Sequence, residues 1–266
     1  AFEAVAVNPA AAVTTITDTL DTTTVTLSAP GAVVEGGAVV YTATVNNPVA
    51  GTPLVITLSN GQTITIPVGQ SSASSAPFNV RGDDGYVQGT DTLNVGISGT
   101  AGGMFEALDT TSTATTNVTD DADATTVTLS ASAASVAEGG SIVYTVSVGS
   151  PVTGSPLAIT LSNGQTITIP VGQTTASGAA FNVRADDAYV QGTDTLNVGI
   201  SGAAGGNFEA LNTASTVSTT VTDDADATTV TLTASAASVT EGGSIVYTAS
   251  VNNPVTGTPL VITLSN

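Results

Sequence analysis

Val118-Thr-Asp-Asp-Ala-Asp-Ala-Thr-Thr-Val-Thr-Leu-Ser130 is the stretch whose reading decides the fold. It returns as Val221-Thr-Asp-Asp-Ala-Asp-Ala-Thr-Thr-Val-Thr-Leu-Thr233, and a looser copy runs from Ile16 to Ser28. Each copy alternates Thr with Val, bunches its carboxylates, then alternates again. A period of two marks a half-buried strand. The stretch therefore reads as the last strand of one domain, an acidic joint, and the first strand of the next.

Outward from the joints, the landmarks recur 103 residues apart: Glu35-Gly-Gly, Glu138-Gly-Gly and Glu241-Gly-Gly, then Asp83-Asp84 and Asp186-Asp187. Phe2-Glu-Ala, Phe105-Glu-Ala and Phe208-Glu-Ala keep the same spacing. A period this long suits one complete domain per repeat rather than a helical solenoid. The expected division is 1–20 as the C-terminal part of a preceding repeat, 21–123 and 124–226 as full repeats, and 227–266 as the first half of another.

Within the middle copy, short alternating runs are separated by turn signals. Thr126–Ser130 and Ser141–Val148 read as strands around the Glu138-Gly-Gly turn. Leu157–Leu161 and Thr166–Ile169 flank Asn163-Gly164, a strong hairpin signal. Ala180–Val183, Thr195–Ile200 and Thr213–Val221 complete about seven strands. No stretch keeps a helical period. The predicted fold is all-β: tandem immunoglobulin-like sandwiches of about seven antiparallel strands, joined end to end in an extended rod. Tyr144, Phe181 and Phe208 are assigned to the core.

Composition narrows the chemistry. The chain has 21 acids against two bases, Arg81 and Arg184, for a net charge of −19. Such a surface repels nucleic acid and anionic lipid and attracts multivalent cations. No apolar run is long enough to span a membrane. The chain lacks His, Cys, Lys and Trp, which removes most catalytic bases and nucleophiles and every thiolate metal site. These absences speak against an enzyme.

Threaded through an up-and-down sandwich, three distant segments deliver carboxylates to one end of a repeat. In the middle repeat they are Glu138, then Asp186 and Asp187, then Asp223, Asp224 and Asp226. The first repeat offers Glu35, Asp83, Asp84, Asp120, Asp121 and Asp123, with Asp91 and Asp194 as further candidates. Clustered carboxylates call for a hard cation with oxygen ligands, and flexible loops suit Ca²⁺ better than Mg²⁺. The opposing reading is an acidic, solvated hinge. The spacing is neither that of an EF-hand nor that of a glycine-rich β-roll. Arg81 and Arg184 are expected in structural ion pairs. Glu106 and Glu209 either complete a site or solvate the joint.

The Glu-Gly-Gly turn, the late Asp pair and the Asp-Asp-Ala-Asp exit together resemble Calx-β and related immunoglobulin-like modules. The Leu-Ser-Asn-Gly-Gln-Thr-Ile-Thr-Ile-Pro runs and the acidic joints are similar to the tandem repeats of giant bacterial adhesins of the RTX type, which leave the cell by type I secretion. The first joint departs from that pattern, with Thr19 and Leu20 where later joints carry Asp-Ala. The resemblance implies a non-catalytic extender of a secreted, cell-surface biofilm adhesin, projecting a distal binding domain. Ca²⁺ would stiffen the joints, and the partners would be neighbouring repeats. The alternatives are a surface-layer or filament protein whose chains associate laterally, and a module that binds an adhesion target directly.

Overall fold

Alternation decides the strands of the first repeat. In β1 (Thr22–Ser28) every second residue, Thr23, Val25 and Leu27, is buried while the Thr and Ser between them face water. Short strands follow: β2 (Ala32–Val34), β3 (Ala38–Val39), β4 (Thr42–Val45), β5 (Leu54–Leu58), β6 (Thr63–Ile66), β7 (Ser72–Ser74) and β8 (Phe78–Asn79). The repeat closes with β9 (Asp91–Ala101), β10 (Ala107–Asp109) and β11 (Thr113–Thr119). The computed structural model describes residues 1–265. It is all-β, as the alternation predicts.

One sheet has the order β10-β1-β4-β7 and the other β2-β11-β9-β5-β6, while β3 and β8 pair apart. Between them lie Val25, Tyr41, Val45, Leu54, Ile56, Leu58, Ile64 and Ile66, all buried. The second repeat reproduces both sheets, with Val127, Tyr144, Val146, Leu157, Ile159 and Ile169 in the matching core. Tyr144 is fully buried, Phe181 packs obliquely on it with ring centroids 6.2 Å apart, and Phe208 packs at the core's margin. The Asn-Gly hairpin forms between β5 and β6, with Gly61 at φ 84°.

Two pairings differ from the antiparallel threading expected. β1 runs parallel to β10, and β2 runs parallel to β11 with Val34 opposite Thr119. The chain leaves β1, crosses at Ala29–Gly31, and enters the other sheet as β2. β2 and β11 therefore end together, so Glu35 follows one strand where Asp120 and Asp121 follow its neighbour. The convergence inferred from an up-and-down path arises instead from a parallel pair.

The chain divides into two compact units, Ala1–Asp84 with Gln88–Asp121, and Gly85–Val87 with the residues from Ala122 onward. The strand expected where the looser copy begins, at Ile16, is not formed; residues 1–21 carry no strand and are exposed. A strand needs a neighbouring strand, and among the described residues none forms a ladder with Ile16–Thr17. Of the expected half-repeat 227–266, Val230–Ala234 pairs with Tyr247–Val251. Leu232 is 49% exposed. Asn266 lies outside the described residues.

Candidate metal centre

The Glu-Gly-Gly turn is held on both sides by backbone. Glu35 N–H donates to Thr119 O at 2.9 Å, and Gly36 N–H donates to Arg81 O at 2.9 Å. Gly36 has φ 69°, and a Cβ there would lie 2.8 Å from the Cβ of Asp83. Only glycine allows both the left-handed backbone and that approach. The second unit repeats the arrangement: Glu138 N–H to Thr222 O at 2.9 Å, Gly139 N–H to Arg184 O at 2.9 Å, and Gly139 against Asp186.

Three carboxylates meet in each unit. Glu35, Asp83 and Asp121 each place one oxygen within 4.8 Å of the others, as do Glu138, Asp186 and Asp224. Equivalent positions thus converge in both units. The glutamate is the buried member; its side chain is 0% exposed in the first unit and 1% in the second. Both aspartates face solvent.

An arginine organises each cluster. Arg81 Nε donates to Glu35 Oε2 at 2.8 Å and Nη1 to Asp91 Oδ2 at 2.9 Å, while Nη2 pairs with Asp120. Arg184 Nε lies 3.0 Å from Glu138 Oε2 and Nη1 lies 2.9 Å from Asp194 Oδ2. The arginines are in ion pairs, as expected, and Asp91 and Asp194 are among their partners. Each guanidinium covers one oxygen of its glutamate. The other oxygen, Oε1 of Glu35 and of Glu138, is buried and meets no hydrogen-bond donor among the described residues. Leaving a buried acceptor unmet is costly, more so for a charged group.

The remaining predicted residues divide. Asp120 accepts the backbone N–H of Gln88 at 2.6 Å and of Gly89 at 3.0 Å, so these donors and Arg81 occupy it. The Gln88 N–H foremost, aided by Gly89 and Arg81, holds its carboxyl below the usual range. Asp223 is looser, with Oδ1 3.6 Å from Arg184 Nη2. Asp84 and Asp187 accept from the amide side chains of Gln88 and Gln191. Asp123 belongs to the second unit, where its N–H donates to Glu209 Oε2 at 2.6 Å. Glu106 accepts the Asp21 N–H in the first unit, one residue further along the repeat, so both glutamates tie down the segment entering β1 and its counterpart. Asp226 feels the charge of Asp186 most, then burial, then Asp224, Asp187 and Asp223; together they raise its carboxyl above the usual range. Burial foremost, with Asp223 beside it and against the pull of Arg184, raises Glu138. An open cleft of about 230 Å³ lies among Asp187, Asp223, Asp224 and Asp226. Excess negative charge in a concave place with oxygen donors suits a hard divalent cation.

What the sequence reading did not find is a tyrosine contact in the second unit. Tyr86 stacks on Phe208 with centroids 5.3 Å apart, and its hydroxyl donates to Pro151 O at 2.6 Å. The recurrence of Tyr after the Asp pair, at Tyr86 and Tyr189, was the available signal.

The LapA domain family matches residues 21–121, 123–224 and 226–266. The chain belongs to the LapA domain family. These LapA repeats account for most of the chain, and the family is that of a large adhesion protein. No curated protein matches the chain. Among solved structures, it is similar to a tetra-tandem repeat from the extending region of a large adhesion protein, with 15% identity and a TM-score of 0.30 over 86% of this chain and 62% of that one. It is also similar to the adhesin InvE of Yersinia pseudotuberculosis, with 19% identity and a TM-score of 0.26 over 75% and 58%. Murine CEACAM1b matches with 15% identity and a TM-score of 0.23, over 76% of this chain and all of that one. TM-scores this low carry no argument. The chain spans about three fifths of the length of the two adhesin structures.

Proposed function

We propose that these LapA repeats are non-catalytic spacers of a secreted, cell-surface adhesin, and that each binds Ca²⁺ where its chain leaves the sandwich. The observation that carries this reading is the buried glutamate whose Oε1 meets no donor, beside two aspartates, at equivalent places in both units. Glu35, Asp83 and Asp121 would hold the ion in the first repeat, and Glu138, Asp186 and Asp224 in the second, with Asp223 and Asp226 adding negative charge around it.

Function follows from which segments those residues sit on. Glu138 belongs to a turn fixed by β-pairing and Asp186 to the loop against which that turn packs. Asp224 lies just beyond the last strand, Thr216–Thr222. An ion shared by the three ties the outgoing chain to its own domain. A cross-link at that point removes rotational freedom from the segment leading to the next repeat, which stiffens an array. Extracellular Ca²⁺ modules bind with Kd of about 10⁻⁴ to 10⁻³ M. At about 1 mM ion, each site then adds about 0.4–1.4 kcal/mol by mass action.

Isothermal titration of the full chain with CaCl₂ tests this. Two sites are expected, one of which disappears when Glu138→Gln and Asp186→Asn are combined. Absence of binding and of any thermal shift at 10-fold above about 1 mM Ca²⁺ would leave the acids as a solvated surface.

A further inference from the structure

Gly85–Val87 lie inside the first repeat's sequence but belong to the second unit. There they form a short antiparallel bridge, Tyr86 opposite Phe208. Val87 N–H donates to Asn207 O at 3.0 Å, Asn207 Nδ2 donates to Val87 O at 2.9 Å, and Glu209 N–H donates to Gly85 O at 3.1 Å. The Tyr86 ring stacks on Phe208 while its hydroxyl reaches Pro151 O. The residue before the tyrosine must be small, because a Cβ at Gly85 would lie 3.1 Å from Thr125 Oγ1. The corresponding loop, Ala188-Tyr-Val190, keeps that order, and Tyr189 makes the same hydrogen bond, to Pro254 O at 2.9 Å.

The first unit carries the receiving half of this contact. Pro48, Met104, Phe105 and Glu106 stand where the second unit has Pro151, Asn207, Phe208 and Glu209. Phe105 packs against the core, and Glu106 holds the Asp21 N–H, one residue further along the repeat than the Asp123 N–H that Glu209 holds, so the receiving segment is already tied down. Yet Met104 is 75% exposed, and Met104–Glu106 pairs with no strand among the described residues.

We propose that this edge of the first unit is a docking site for the small-Tyr-Val loop of another repeat of the same kind. The loop adds one antiparallel bridge to Met104–Glu106, lays its ring on Phe105 and gives its hydroxyl to Pro48 O, a minimal form of strand addition. Met104 cannot supply the amide donor of Asn207 and offers a thioether against the aromatic ring instead. The spacer reading enters only in naming the occupant as another repeat; calcium has no part in the contact.

The test is run in chelator, so that a failure of the calcium reading is separate. A peptide of residues 82–90 is titrated into the full ¹⁵N-labelled chain, beside a peptide with Tyr86→Ala. Shifts at the Met104, Phe105 and Glu106 amides with the first peptide and not the second are expected, while Asn207–Glu209, already covered, stay still. In a second arm, a further copy of residues 124–226 replaces residues 1–20. Exchange of the Glu106 amide should then slow by about 10-fold or more, since that N–H gains an acceptor. Tyr189→Ala in the added copy should restore fast exchange. Equally fast exchange with the tyrosine and with alanine would overturn the proposal, as would equal binding of the two peptides.

Discussion

Gly139 stands so close to Asp186 that a Cβ on the glycine would lie 2.8 Å from the aspartate's Cβ. The glycine also sits at φ 70°, where L-residues are strained. Gly139→Ala must therefore push the Asp186 loop away. Strain of about 1–2 kcal/mol is expected from the left-handed backbone alone. Denaturation in chelator should show that loss, and calcium titration should show weakened binding in the second unit with the first unchanged.

Glu138→Gln separates charge from shape. The glutamine can still accept from Arg184, so the chelated protein should keep its fold and a stability equal to or above the parent's. Calcium affinity of that unit should fall about 10-fold or more, one charged ligand having been lost. The pH dependence follows from Glu138 and Asp226, both raised by burial and neighbouring carboxylates. A raised carboxyl means that the folded unit holds protons the unfolded chain has released. Without calcium, stability is fullest below the ordinary carboxylate range and declines as pH rises through the raised values. With calcium the trend should reverse, because the ion needs the ionised forms. Thermal melts from pH 4 to 7, in both conditions, read this directly.

Asp109 offers an opposite sign and belongs to neither cluster. Its Oδ1 accepts both the hydroxyl (2.8 Å) and the backbone N–H (3.0 Å) of Thr111, which hold the carboxyl below its usual range. The contribution is present above the unfolded carboxyl's pKa and is lost as pH falls through the depressed one. The second unit has Asn212 at this turn, with no charge to lose. Asp109→Asn should flatten the acid side of the first unit's stability profile, and amide exchange at Thr111 should show it locally.

Tyr144 is fully buried, and its hydroxyl meets no partner among the described residues. Burial accordingly pushes the phenol pKa up. Removing a buried, unmet polar group removes its desolvation penalty. Tyr144→Phe should stabilise the second unit by about 1 kcal/mol, seen as a higher denaturation midpoint with unchanged slope.

Alternation made the sandwich legible, because a strand with one wet face must place Val25 and Leu27 inward and the intervening Thr outward. Asn60-Gly61 gave its hairpin for an equally local reason, a glycine at positive φ. Parallel neighbours carry no such local mark, so the pairing of β2 with β11 was invisible until the sheets were assembled. The carboxylates that gather at the strand ends were named from sequence. Their division was not: Asp120 turns to the Gln88 and Gly89 amides, while Asp83 and Asp121 turn to Glu35. Nor was it apparent that each arginine would take one glutamate oxygen and leave the other unmet. Burial of the glutamate depends on neighbours as well. Glu241, in the same Glu-Gly-Gly turn, is exposed.

Small-angle X-ray scattering of the full chain, in about 1–5 mM Ca²⁺ and then in chelator, tests the spacer account most directly. The account predicts a smaller maximum dimension and greater flexibility on chelation, with Glu35→Gln combined with Glu138→Gln giving the chelated curve even in calcium. Superimposable curves in all conditions would contradict it.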